Sequence, residues 1–267
     1  MAIATLDQYI AAASQRVSLM KTASRTAATV TAYGVFDLAG NPGAGVLAGT
    51  STTAGVVPTD ATAGFPIINA FGVGNTGYIS NIAFGSTVAC RITLFDCLFK
   101  AGAYNAAAAT VNLTAQPSYS SRVLGGTDFS NTEIWVESVS APTGTTTMTV
   151  TYTNQSGTAG KSTGGVSLGA APPLGKMVQL PLAAGDSGVQ VIQSVVTAGG
   201  TGTLNFNVLV LRRLWSGRVK SINGGDTHDM LKTGLPIIFA DSALMAVVIP
   251  DSTATGIFEL NLEIVNG

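Results

Sequence analysis

Apolar residues recur at helical spacing only near the start of the chain, where Leu6, Tyr9, Ile10, Ala13, Val17 and Met20 fall on one face. Thr5-Leu6-Asp7-Gln8 matches the Ser/Thr-x-x-Glu/Gln capping box that opens helices. Arg16, Lys21 and Arg25 follow, where cations suit the carboxyl end of a helix dipole. The spacing predicts one helix over about residues 6–21.

From Val30 onward the period shortens to two. Runs such as Leu204, Phe206 and Val208, alternating with Asn205 and Asn207, read as half-buried strands. Four stretches repeat one plan of strand, Gly/Thr-rich turn and strand: 78–99, 133–153, 189–213 and 243–265. Each reads as a hairpin, its turns being Gly85-Ser86-Thr87, Pro142-Thr143-Gly144-Thr145, Gly199-Gly200-Thr201-Gly202 and Ser252-Thr253-Ala254-Thr255-Gly256. Residues 40–77 show no period and are rich in Gly, Ala, Thr and Pro; a connection of that length needs a task, and reaching over a neighbour is one. The expected fold is therefore mainly β: a two-sheet, jelly-roll-like β-sandwich. Its parts are an N-terminal helix and linker (1–29), an extended arm with loops (30–77) and the sandwich (78–267).

Charge alters this picture. Asp, Glu, Lys and Arg make up only 10% of the 267 residues, against about 25% in an ordinary soluble domain. A compact monomer of 27.0 kDa should expose roughly 10,800 Å², a large area for 13 basic and 14 acidic residues to cover. The composition points to surface buried in subunit contacts, and the helix face (Leu6, Tyr9, Ile10, Val17, Met20) and the arm around residues 40–70 are the expected contacts. The net charge of −1 argues against a general nucleic-acid binder. No apolar run is long enough for a membrane-spanning helix, and the amino terminus lacks the pattern of a secretory signal. No membrane partner is expected.

Several catalytic signatures come close and fail on context. Gly185-Asp186-Ser187-Gly188 has the look of a serine nucleophile loop, but the sole histidine, His228, lies downstream of it. Gly72-Val73-Gly74-Asn75-Thr76-Gly77 fits the dinucleotide fingerprint, yet a strand-like run follows where a helix is needed. Gly157-Thr158-Ala159-Gly160-Lys161-Ser162-Thr163 lacks the first glycine of a P-loop, Gln155 standing in its place, and reads as a hairpin loop. Cys90 and Cys97 sit an odd number of residues apart, on opposite faces of a strand, and are expected to stay unpaired. One histidine and two diverging cysteines cannot supply a zinc shell; Asp226, His228 and Asp229 read as a polar loop. Arg212, Arg213, Arg218 and Lys220 form one basic cluster, flanked by Leu211, Leu214 and Trp215 as at a strand end. No catalytic, cofactor-binding or metal-binding residue is expected, and the chain is expected not to be an enzyme.

Three segments carry a resemblance. Val150-Thr151-Tyr152-Thr153-Asn154-Gln155-Ser156-Gly157-Thr158-Ala159-Gly160-Lys161, the later Met177-Val178-Gln179-Leu180-Pro181-Leu182-Ala183-Ala184-Gly185-Asp186-Ser187-Gly188-Val189 and the early Asn41-Pro42-Gly43-Ala44-Gly45 resemble virion structural proteins of tailed bacteriophages. The likeness is one of style and short motifs over most of residues 35–265, and within that group it is nearest to capsid decoration (cement) proteins. It implies a charge-poor, oligomeric protein of the virion, assembled in the bacterial cytoplasm. Its implied partners are the major capsid protein and copies of itself, a trimer being the arrangement such proteins often adopt at local three-fold positions. The alternative role is a tail-fibre or baseplate β-sandwich module binding a host receptor or glycan, with Trp135 or Trp215 as the sugar platform.

Overall fold

The computed structural model describes residues 5–72, 75–107, 109–140, 146–200 and 205–267. In chain order they form α1 (Leu6–Ala11), β1 (Ser14–Lys21), β2 (Ala32–Gly34), β3 (Gly40–Asn41), β4 (Ser51–Val56), β5 (Gly77–Ser86) and β6 (Cys90–Asn105). Then come β7 (Ala109–Asn112), β8 (Thr132–Ser138), β9 (Thr147–Asn154), β10 (Lys161–Ser162), β11 (Lys176–Leu180) and β12 (Val189–Ala198). The last elements are β13 (Asn205–Val219), β14 (Gly224–His228), α2 (Met230–Thr233), β15 (Ile237–Ile238), β16 (Leu244–Pro250) and β17 (Phe258–Asn266).

The fold is mainly β, as expected, but it is built from three antiparallel sheets rather than two. One runs β14-β5-β17-β1-β3, with β15 added on β5. A second runs β10-β9-β12-β7. The third runs β13-β8-β11-β2-β16-β6, and β6 pairs back onto β13, closing six strands into a barrel; β4 joins β6 on the side. Closure removes the unpaired edges that an open sheet would expose.

Two long strands hold the three layers together. Near its start β6 turns Cys90, Ile92 and Leu94 toward the β5–β17–β1 sheet; further on it turns Leu98, Ala101 and Tyr104 toward the β9–β12 sheet. β13 runs antiparallel to it and does the reverse, with Phe206, Val208 and Val210 first, then Leu214, Trp215 and Val219. The opposite face of both strands fills the barrel with Phe95, Cys97, Leu209 and Leu211. Each apolar side chain fully buried this way contributes roughly 1.5–3 kcal/mol, so strands buried on both faces anchor the molecule. Cys90 and Cys97 do face apart, into different clusters, and both are free thiols.

The helix expected over 6–21 is corrected. It ends at Ala11, and β1 begins at Ser14. The capping box is real, Thr5 Oγ1 accepting from Gln8 N and Gln8 Oε1 accepting from Thr5 N. Beyond it Val17, Leu19 and Lys21 alternate into the core while β1 pairs with β17 along its length. Lys21 reads as polar but is buried, so the two-residue period was masked at its last position.

None of the four expected hairpins pairs with itself. β5 belongs to the six-stranded sheet and β6 to the barrel; β8 lies in the barrel and β9 in the four-stranded sheet; β12 and β13 part likewise, as do β16 and β17. Each unit is an arch whose strands face one another across a core instead of sharing hydrogen bonds. Turn residues 141–145 and 201–204 lie outside the described residues. The jelly-roll sandwich is corrected on the same ground.

The described residues of 40–77, expected to reach outward, pack on their own molecule. Phe65, Ile68 and Phe71 are buried, and β4 pairs with β6. Asp60 Oδ2 accepts from Ile68 N at 2.9 Å, and Asn207 grips Leu47 and Gly49. β1 and β2 are integral strands of the sheets. The folded chain exposes 10779 Å², the area expected of a compact monomer of this mass.

Candidate functional site

The five expected contact residues do not share a face. Leu6 and Ile10 stand out on α1, 61% and 71% exposed, and α1 buries no residue. Tyr9 is half-buried and Val17 lies in the core. Met20 points the other way along β1, onto the outer face of the six-stranded sheet.

That outer face carries no covering layer among the described residues. Register sets its side chains in rows: Arg16, Glu263 and Asn81; Ser18, Asn261, Ala83 and Thr227; Met20, Glu259, Gly85 and Gly225. Ser18 Oγ donates to Asn261 Oδ1 at 2.7 Å across the central row. The small residues of β5 and β14 lower one side, leaving shallow depressions beside Asn261 and Met20. Exposed apolar groups elsewhere include Val30, Ile222 and Leu231.

Part of the chain's scarce charge is turned inward. Asp96, wholly buried, accepts from Arg122 Nη2, from Arg212 Nη2 at 3.1 Å, from Ser242 Oγ at 2.8 Å and from Ala243 N at 3.0 Å. Arg122 also donates to the carbonyls of Pro58, Asp241 and Cys97. Lys21 Nζ donates to the carbonyls of Phe36, Leu38 and Pro42 at 3.2, 3.0 and 3.0 Å, and burial pushes its pKa down. Arg25 pairs with Asp37. Of the basic cluster, Arg212 reaches Asp96, Arg213 reaches Glu133 and Arg218 reaches Asp251.

A further polar group occupies one end of the barrel. Lys100, Asn207 and Glu137 come from the adjacent strands β6, β13 and β8 and point inward. Asn207 Nδ2 donates to Glu137 Oε2 at 3.0 Å and to the Leu47 carbonyl at 2.7 Å, while its Oδ1 accepts from Gly49 N at 2.9 Å. Lys100 Nζ donates to the Val46 carbonyl at 2.8 Å and sits 4.4 Å from the centre of the Phe36 ring. Glu137 Oε1 is buried without a hydrogen-bond partner. Desolvation pushes the Glu137 carboxyl up to about 7, with Lys100 and Asn207 pulling the other way. Beside this group a mostly apolar cavity of about 330 Å³ opens between Phe36, Val46, Val56, Phe65 and Lys100.

Sequence reasoning passed over Asp96, Lys100, Arg122 and Glu137, and took Asn207 for the polar side of a half-buried strand, whereas β13 is buried on both faces there and Asn207 is fully buried. A signal was present, since Asp96 and Lys100 interrupt the apolar run Ile92–Ala101 and Glu137 follows Trp135-Val136. A charge inside a strand buried on both faces must find a partner. The partners lie tens of residues away, so the signal marks the position without naming them.

The failed motifs are structural. Ser187 adjoins β12, whereas His228 ends β14 in another sheet. His228 Nδ1 accepts from Trp215 Nε1 at 3.0 Å, and Asp186 accepts from Tyr152 and Asn154, each at 2.7 Å. Residues 155–160 close a true hairpin between β9 and β10. Gly77 opens a strand, while residues 73 and 74 of the glycine pattern lie outside the described residues. Among the described residues no three His, Cys, Asp or Glu side chains are placed to hold a metal ion. Among the described residues no helix is long and apolar enough to cross a membrane. Trp135 and Trp215 are 7% and 5% exposed, so neither offers the sugar platform expected of it.

No family model matches the chain, and no curated protein matches it. Among solved structures it shows weak similarity to particles of infectious bursal disease virus. The Gx strain structure is 9% identical over 96% of this chain and 80% of that one, with a TM-score of 0.20. The VP2 subviral particle of the same virus is 9% identical over the same shares, with a TM-score of 0.22.

Proposed function

We propose that this chain is a non-enzymatic structural protein of a bacteriophage particle, a capsid decoration subunit that stabilises the shell by bridging its neighbours. One observation carries the reading. A chain with few charges commits Asp96, Arg122, Arg212, Lys21, Arg25, Asp37, Lys100 and Glu137 to its interior. It leaves Leu6, Ile10, Val30, Ile222 and Leu231 at the surface. Charge committed to the interior is missing from the charged coat that ordinarily keeps a free monomer soluble. The sequence resemblance to virion proteins points the same way. In this reading the partners are the major capsid protein and copies of the chain itself, with no role for nucleic acid or membrane. Contacts of about 1,000 Å² or more would draw on α1, Met20 and the open face of the six-stranded sheet.

The test is quantitative mass spectrometry of purified particles, counting this chain against the major capsid protein. A copy number comparable to the capsid protein supports the decoration role. A few tens of copies or fewer would move the chain to the tail or a vertex. Complete absence from particles would overturn the reading.

A further inference from the structure

The polar group at the barrel end is arranged for more than packing. Lys100 stands opposite Leu209, and Asn207 is the next inward position along β13. On β6 the next inward position after Lys100 is Gly102, and a Cβ there would lie 2.3 Å from Asn207 Oδ1. The carboxamide therefore rests over Gly102, about 7 Å along the strand from the Lys100 backbone, within the span of a lysine side chain. Nζ and Nδ2 also hold consecutive carbonyls, those of Val46 and Leu47. Glu137 lies directly opposite Asn207 and touches its nitrogen, with its other oxygen unpartnered. Asn207 and Glu137 are 0% exposed and Lys100 is 7% exposed, so water, which would keep the amine solvated, is largely excluded.

We propose that Lys100 and Asn207 join through an isopeptide bond, with Glu137 as the acid–base group that promotes it. As the Lys100 side chain swings toward the group, the Glu137 carboxylate takes a proton from its ammonium. The neutral Nζ, turned off the Val46 carbonyl, attacks Asn207 Cγ. Glu137 passes its proton to the departing Nδ2 and receives one from Nζ. The Cγ–Nδ2 bond breaks, the Nζ–Cγ bond forms, and ammonia leaves; Glu137 ends protonated, and no oxidant or co-reactant is consumed. The raised proton affinity of Glu137, up to about 7, suits a group that must both take and return a proton near neutral pH. Placing amine and carboxamide at neighbouring inward positions with little solvent is a condition under which such a reaction gains from proximity. The product ties β6 covalently to β13, adding a crosslink to the barrel wall that two of its strands already share. The proposal is independent of the role in the particle.

The experiment is intact-mass measurement of the full chain, folded and incubated at neutral pH, then denatured. A mass lower by one ammonia is expected. Tryptic mapping should give residues 92–122, uncleaved after Lys100, joined to residues 177–212. Lys100→Arg, Asn207→Ala and Glu137→Gln should each restore the full mass. These are buried substitutions, so the native chain decides by itself: full mass after incubation overturns the proposal. An ammonia loss that maps to a single unlinked peptide overturns it as well. Linked peptides persisting in the folded Glu137→Gln chain would remove Glu137 from the step.

Discussion

Asp96→Asn tests whether the buried charge knot is as central as its geometry implies. Asp96 accepts four donors with two oxygens, two of them from guanidinium groups. Asparagine has nearly the same shape but replaces one acceptor with an amide NH2 that must face a donor. The guanidinium of Arg122, with no exposure of its own, would lose its counter-charge in a medium where breaking a buried pair costs about 3–5 kcal/mol. The damage should spread, because Arg122 also holds the backbone at Pro58, Cys97 and Asp241. At about 2.1 cal/mol/K of unfolding entropy per residue, a loss near 4 kcal/mol lowers the melting temperature of a chain this size by about 7 °C. Urea unfolding of the variant against the native chain measures it. Asp251→Asn is the control: the Arg218–Asp251 pair spans 3.2 Å with side chains 60% and 43% exposed, and such pairs contribute about 0–1 kcal/mol. A loss below about 1 kcal/mol for Asp96→Asn, or an equal loss in the control, would refute the reasoning.

Glu137 predicts a pH dependence. Its folded carboxyl titrates near 7 against an ordinary 4.5, so between those values the native state binds the extra proton. Stability should be greatest below about 4.5 and fall by about 3 kcal/mol as pH rises from there to about 7; Glu137→Gln should flatten that slope, and an unchanged slope in denaturation curves would contradict it. Deleting residues 1–12 removes α1, which buries nothing, so the truncated chain should fold with a melting temperature within a few degrees of native, whereas deletion through Lys21 strips β1 from the β17 edge and should leave no cooperative transition by circular dichroism. Ser187→Ala should shift stability by less than about 0.5 kcal/mol. Gly188→Ala, whose Cβ would sit 1.8 Å from the Phe129 carbonyl, should cost about 1–3 kcal/mol in the same urea assay.

Taken alone, the sequence determined the class of structure and many of its faces. Period-two alternation marked the strands, because a strand half-buried on one side must alternate. The Thr5–Gln8 box marked where the helix starts, and the odd spacing of Cys90 and Cys97 placed them on opposite faces. Alternation reports which side chains face a core, but says nothing about which backbone lies alongside. A strand, a turn and a strand satisfy the same pattern as a hairpin or as an arch across a core, and here only tertiary packing chose the arch, sending β5 and β6, β8 and β9, β12 and β13, β16 and β17 into different sheets. The same non-locality hid the barrel. Its closure joins β6 to β13, and its polar end assembles Lys100, Glu137 and Asn207 from strands far apart in the chain. The length of α1 was decided the same way, since propensity alone could carry a helix through Val17 and Leu19, whereas pairing with β17 satisfies their backbone and buries both. Hydrogen-bond partners and buried charge pairs depend on what the rest of the chain brings near, and local pattern does not carry that information.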